Sequence, residues 1–123
     1  MVKGKQVVFT APRQVVMEER ELNDPGAGQV LVRSLFTLVS TGTELTALTG
    51  EFPPGSAWAR YVRYPFSPGY NNVGEVSALG EGVEGLGVGE RVFCWAPHGQ
   101  FALVNSKRVY KISEDVPLQE VAF

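Results

Sequence analysis

A single cysteine, Cys94, stands in a chain of 123 residues. It leaves no internal disulfide and no cysteine zinc cage. An excess of one charge is missing too. The formal net charge is −2, and the lysines and arginines are scattered. That excludes a basic footprint for nucleic acid or an anionic membrane surface. Long apolar runs are absent: Arg33 interrupts the best candidate, Val30–Val39, well short of the roughly 18 residues of a membrane helix. Met1-Val2-Lys3-Gly4-Lys5 is basic, but it leads into a short strand-like segment and not into a signal-peptide apolar region. Neither an internal repeat nor a low-complexity tract is found. These absences lead to the expectation of one soluble, cytoplasmic domain, large enough to bury a single core.

Helical periodicity is equally scarce, and strand signals take its place. Lys5–Thr10 and Gln14–Glu19 read as short β-runs around Ala11-Pro12-Arg13, and Asn23-Asp24-Pro25-Gly26 as a turn. Gln29–Val39 reads as a long strand. Val30, Val32, Ser34, Phe36 and Leu38 share one face, and Leu31, Leu35 and Val39 suggest burial of the other. Thr43–Thr49 could form one or two helical turns stopped by Gly50. Glu51–Pro68 is rich in proline and aromatics and reads as a long loop that is functional or covers something. Strands follow at Asn72–Leu79, Arg91–Trp95, Phe101–Asn105 and Val109–Ile112. Many short strands divided by glycine and proline predict a mainly β, partly open antiparallel barrel with one or two short helices.

Gly80-Glu81-Gly82-Val83-Glu84-Gly85 satisfies the GxGxxG pattern of a dinucleotide phosphate loop. That fingerprint requires a helix opening at its third glycine, whose N-terminus holds the pyrophosphate. Leu86-Gly87-Val88-Gly89 follows instead, and each glycine costs a helix about 1 kcal/mol. Glu81, Glu84 and Glu90 would also repel a phosphate. The segment is therefore expected to be a glycine-rich connection between strands, with no cofactor-binding role. At the other end, Leu118–Phe123 has the residue types of a starting helix beyond Pro117. Isolated helices below about 12 residues are marginal. The expectation is a chain cut inside an element, with a second domain to follow.

Taken in order, these motifs resemble the N-terminal GroES-like, catalytic domain of the medium-chain dehydrogenase/reductase superfamily, over essentially the whole chain. Thr41-Gly42-Thr43-Glu44 stands where that family has a CGTD-type motif. Gly69-Tyr70-Asn71 stands for its GHE motif, and Gly89-Glu90-Arg91-Val92 for GDRV. His98–Ala102 is similar to the final barrel strand, and Asp115–Phe123 to the lead into the nucleotide domain. The wording of Ser40–Glu44 is similar to a subgroup that includes bacteriochlorophyllide-type dehydrogenases. The resemblance implies a substrate-side domain of residues 1–123 acting on an alcohol, ketone or quinone-type small molecule. NAD(P) would sit on a Rossmann domain that this chain lacks, and the isolated chain would be inactive. A homo-oligomer is left open.

The resemblance also implies where zinc should bind, and there the sequence departs from it. The zinc ligand positions fall at Thr41 and Tyr70, and the neighbouring carboxylate position at Asn71. A hydroxyl and a phenol with a reference pKa near 10 are poor zinc ligands, so no zinc is expected. Thr43 aligns with the family's proton-relay hydroxyl. Thr41, Thr43, Tyr70 and Asn71 are accordingly the candidate site residues, as donors to charge developing on a substrate oxygen. A competing role for Thr41 and Thr43 is capping of the following helix. Cys94 and His98 are read as a partly buried strand thiol and a loop imidazole. Trp58 and Trp95 would line a pocket or cover the barrel mouth, and Glu18–Glu21 would be a solvated strand end. The alternative function is a non-enzymatic barrel serving as an interaction module, with the aromatic Glu51–Pro68 loop as its contact surface.

Overall fold

Pro12-Arg13 turns the first two β-runs into a hairpin, with Arg13 itself at φ +63°. In the computed structural model, which describes residues 1–121 apart from the side chains of 118 and 119, β1 (Val2–Ala11) pairs antiparallel with β2 (Gln14–Leu22). The remaining strands are β3 (Gln29–Leu38), β4 (Asn71–Leu79), β5 (Arg91–Cys94), β6 (Phe101–Asn105) and β7 (Val109–Lys111). They form an antiparallel five-stranded sheet in the order β6-β3-β4-β5-β7. Backbone bonds tie β1 to the segment before β6. Val7 N–H donates to the His98 carbonyl at 3.0 Å, and Gln100 N–H to the Lys5 carbonyl at 2.9 Å. The hairpin thereby extends the curled sheet into the expected partly open barrel. Among the described residues no helix is long and apolar enough to cross a membrane.

Two apolar clusters hold the fold. Val30, Val32, Val76, Val92, Cys94 and Val104 belong to the one inside the sheet. Fully burying each valine contributes about 1.5–3 kcal/mol. The second joins Phe9 of β1, Ala47 of helix α1 (Thr41–Thr49) and Val62 just beyond helix α2 (Ala57–Tyr61). Phe52, Trp58, Tyr64 and Phe66 pack against it, and the Tyr64 hydroxyl donates to the Ala47 carbonyl at 2.6 Å. The aromatic segment thus covers a core. It also holds a helix that its prolines hide from a sequence reading, started by the Ser56 hydroxyl accepting from Ala59 N–H.

Two expectations on the elements change. Burial of both faces, expected along β3, holds only in its first half: Val30, Leu31 and Val32 are buried, while Leu35 and Val39 are 39% and 57% exposed. A bulge between Ser34 and Phe36 makes Leu35 the extra residue of β3 and resets the alternation beyond it, whereas at Leu31 and Val32 the extra residue, Ser77, lies on β4. Helix α1 starts two residues earlier than its apolar pattern indicates, and it ends as expected at Gly50 with φ +70°. Helix α3 spans Leu118–Val121; the remainder of the expected helix, 122–123, lies outside the described residues. The β4–β5 connection opens no helix across Gly80–Gly89. A Cβ on Gly80 would stand 1.8 Å from the Gly26 carbonyl oxygen, so packing against the turn that Gly26 and Gln29 close requires that glycine.

Candidate functional site

At the end of β3 the chain turns through Ser40 into α1, and the segment joining β5 to β6 passes beside it. His98 lies on that segment, which is held on several sides. His98 N–H donates to the Pro68 carbonyl at 2.9 Å, and Asn72 Nδ2 donates to the Pro97 carbonyl at 3.3 Å. Gly69 adopts φ +103°, and a Cβ there would stand 2.7 Å from His98 N and 2.8 Å from its ring. The imidazole therefore rests on bare backbone, and only glycine permits it.

The ring's two nitrogens are both engaged. Nδ1 lies 2.6 Å from Thr37 Oγ1, and Nε2 makes a short hydrogen bond with Glu44 Oε1. The other carboxylate oxygen, Oε2, accepts from Ser40 N–H at 2.6 Å. Glu44 thus reaches back to an orphan donor at the start of its own helix, the carboxylate half of a capping box shifted by one residue. Ser40 makes no side-chain cap bond. Glu44 and His98 are only 7% and 8% exposed, and such burial is tolerated because each is paired. An ionised carboxylate can only accept, so Nε2 carries the proton toward Glu44. The neutral ring then offers Nδ1 to the Thr37 hydroxyl as an acceptor.

These three side chains border a cavity of about 450 Å³. Its other walls are Val7, Phe9, Val39, Leu45, Leu48 and Pro68, with the exposed Thr41 also lining it. An apolar cavity with a few convergent polar groups is the usual form of a small-molecule site. A wider depression, about 600 Å³, lies between the β4–β5 turn and Ile112, but Glu90, Arg91 and Glu114 give it a charged lining.

Of the four residues expected from sequence, Thr41 enters the cavity wall. Thr43 is half-buried on α1 beside Glu44. Tyr70 is half-buried before β4, and Asn71 opens β4 opposite Leu38. Thr43, Tyr70 and Asn71 are not among the residues that line the cavity. His98 does lie on a loop, but as a buried member of a hydrogen-bonded trio, and Cys94, expected to be partly buried, is completely buried. Burial raises the Cys94 thiol to about 12. The sequence reading missed Thr37, Glu44 and His98 as site residues. Glu44 had a local signal in its spacing from Ser40. Thr37 and His98 lie 61 positions apart, and nothing local joins them.

The donor set does not suit zinc. Among the described residues no group of three His, Cys, Asp or Glu is arranged to hold a metal ion. Both nitrogens of His98 are already occupied by Thr37 and Glu44.

Known proteins agree with this architecture. The 2-desacetyl-2-hydroxyethyl bacteriochlorophyllide A dehydrogenase of Cereibacter sphaeroides is 34% identical over 96 residues, 74% of this chain and 29% of its own. An alcohol dehydrogenase of Rhizobium meliloti is 38% identical over 92 residues, 75% of this chain and 25% of its own. A short chain alcohol dehydrogenase (rspB) from Escherichia coli CFT073, solved with NADH, superposes with a TM-score of 0.77 at 25% identity. That superposition covers 98% of this chain and 41% of the other. The chain thus spans less than a third of the curated relatives' length and under half of the solved structure. Residues 26–113 match the alcohol dehydrogenase GroES-like domain, and the chain belongs to that family, the N-terminal catalytic domain of medium-chain dehydrogenases/reductases.

Proposed function

We propose that this chain is the substrate-side domain of an NAD(P)-dependent medium-chain oxidoreductase that works without catalytic zinc. The observation that carries this reading is the apolar cavity beside Thr37, Glu44 and His98. Its volume, about 450 Å³, equals that of roughly fifteen liquid waters, so it accepts a small molecule or one arm of a larger one. The Cereibacter relative is named for a hydroxyethyl-bearing compound, and an alcohol or ketone of that kind is the substrate class we favour over a quinone. In place of a metal, hydrogen-bond donors would hold charge on the substrate oxygen. Each such donor is worth about 2.7–4 kcal/mol when preorganised. Thr41 stands in the cavity wall for that role; Thr43, Tyr70 and Asn71, near the start of α1 and β4, do not line this cavity and would serve only a substrate that extends beyond it.

NAD(P) supplies hydride exchange when bound, and its natural home is a nucleotide domain outside this chain. The pyrophosphate does not fit Gly80–Gly85, where no helix opens and Gly80 N–H is already bonded to the Gln29 carbonyl at 2.8 Å. The isolated chain is therefore inactive in this reading, and a cytoplasmic location agrees with its lone thiol. The interaction-module alternative keeps less of its contact surface than expected, because Phe52, Trp58, Tyr64 and Phe66 pack against the second cluster and Tyr61 is left 56% exposed.

The test is a chimera joining this chain to the nucleotide domain of the Rhizobium meliloti relative. It should oxidise small secondary alcohols, with reduced nicotinamide as readout and no zinc requirement. Leu45→Trp, which fills the cavity, should abolish turnover. Undiminished turnover in the filled variant would place the substrate elsewhere.

A further inference from the structure

We infer that Thr37 reads the oxygen of the bound molecule, with His98 behind it as proton acceptor and Glu44 as the residue that positions His98. The inference rests on the substrate-cavity reading above and names the atoms of that site. A threonine hydroxyl has one proton to give and two lone pairs to receive with. Glu44 fixes the ring proton on Nε2, so the Thr37 proton points to Nδ1 across 2.6 Å. Its lone pairs are then left for a donor in the cavity, and an alcohol O–H is such a donor. Transfer along this line breaks the ligand O–H bond and forms a new O–H bond on Thr37. The original Thr37 proton moves to Nδ1. An alkoxide and an imidazolium replace an alcohol and an imidazole, so the net charge of ligand, His98 and Glu44 stays at minus one. The line runs backward equally well. An imidazolium donates through Nδ1 to Thr37, whose own proton then points at a carbonyl oxygen.

Burial makes this geometry consequential. The carboxylate faces the imidazolium with both groups more than nine-tenths buried, where charge pairs are screened less than at the surface. Glu44 is itself held by Ser40 N–H, so the ring cannot easily turn away. The rest of the wall offers mainly aliphatic and aromatic carbon. The ligand class that follows is a neutral, mostly apolar molecule carrying one hydroxyl or carbonyl.

The experiment uses the chain as it stands. His98 is its single histidine, so imidazole nitrogen signals in NMR belong to one residue. Titrate 1-phenylethanol, and titrate ethylbenzene as its oxygen-free counterpart. Both should shift cavity methyl signals, including those of Val7 and Leu45, and only the alcohol should shift the His98 ring saturably. Thr37→Val should abolish the ring response and weaken alcohol binding by about 3- to 10-fold, the worth of one hydrogen bond. Thr37→Ser should restore both. Without any variant, the neutral ring should be the Nε2–H tautomer. Methyl shifts with an unresponsive ring, equal alcohol binding by Thr37→Val, or an Nδ1–H tautomer would overturn the inference and leave the cavity reading intact. If neither methyls nor ring respond, the cavity reading fails and the inference falls with it.

Discussion

Cys94 and His98 lie four residues apart and are both buried, yet their surroundings make them chemical opposites. Cys94 sits in the apolar cluster inside the sheet, where desolvation penalises the thiolate and lifts the pKa from 9.0 to about 12. The thiol should resist alkylation in the native state and react once the chain unfolds, because the thiolate is the nucleophile. The same shift has a stability consequence. Above pH 9 the unfolded thiol loses its proton while the folded one keeps it. Folding stability should then fall by about 1.4 kcal/mol per pH unit as the pH rises from 9 toward 12. Urea midpoints from pH 8 to 10.5 should show that slope in the native sequence and lose it in Cys94→Ala. Glu44 is the second residue-scale case. Glu44→Ala leaves Nε2 of His98 and N–H of Ser40 without partners, and should cost about 2–5 kcal/mol. Glu51→Ala, which removes an exposed pair with Arg13, should cost less than about 1 kcal/mol by the same denaturation measurement. Residue-scale roles were the least legible part of the sequence. Thr41 could be placed in the site through a motif, whereas Thr37 and His98 meet only because the fold folds them together.

Elements were read more securely, and the failures have local physical causes. β6 has the bounds its sequence indicates and Gly50 ends α1 as expected, whereas β1 and α1 begin earlier than their patterns indicate. The bulge of β3 at Leu35 leaves no mark in its residue types, because it is set by pairing with β4. Helix α2 was hidden among prolines, which break helices in general but here lie outside Ala57–Tyr61. Gly69 shows how one backbone position links an element to the site. Its φ of +103° disfavours any L side chain, and a Cβ would collide with His98 N at 2.7 Å. Gly82 has a similar sign of φ, +79°, with nothing within 4 Å of a built Cβ. Gly82→Ala should therefore cost about 1 kcal/mol, the price of the left-handed conformation alone. Gly69→Ala should cost at least about 2 kcal/mol more and should displace the His98 ring signal. Equal losses at the two glycines would show that the imidazole does not rest on Gly69.

At the scale of the whole molecule, the question is what this barrel can hold without a second domain. Its only GxGxxG segment, Gly80–Gly85, has glycines whose duties are structural. Gly80 N–H bonds to Gln29, Glu81 accepts from Gly28 N–H at 2.9 Å, and Gly82 and Gly85 take positive φ in turns. The amides of Gly80 and Val83, occupied by the Gln29 and Gly80 carbonyls, cannot also cradle a pyrophosphate, and Glu81, Glu84 and Glu90 add repulsion. A dinucleotide needs several aligned amides at a helix N-terminus, and the segment presents no helix at all. In the function proposed above, the groups that position a nicotinamide against the substrate would lie outside residues 1–123. The chain should accordingly show no saturable rise in NADH or NADPH fluorescence at micromolar concentrations, and no hydride transfer to acetophenone. The cavity beside Thr37 should nonetheless bind acetophenone by itself, because its walls come from β1, β3, α1 and the segments around Pro68 and His98. Binding of such a ligand would then be separable from cofactor binding. Micromolar NADH binding that is lost on replacing Gly82 and Gly85 by alanine would reverse the assignment, making the glycine-rich turn a phosphate site.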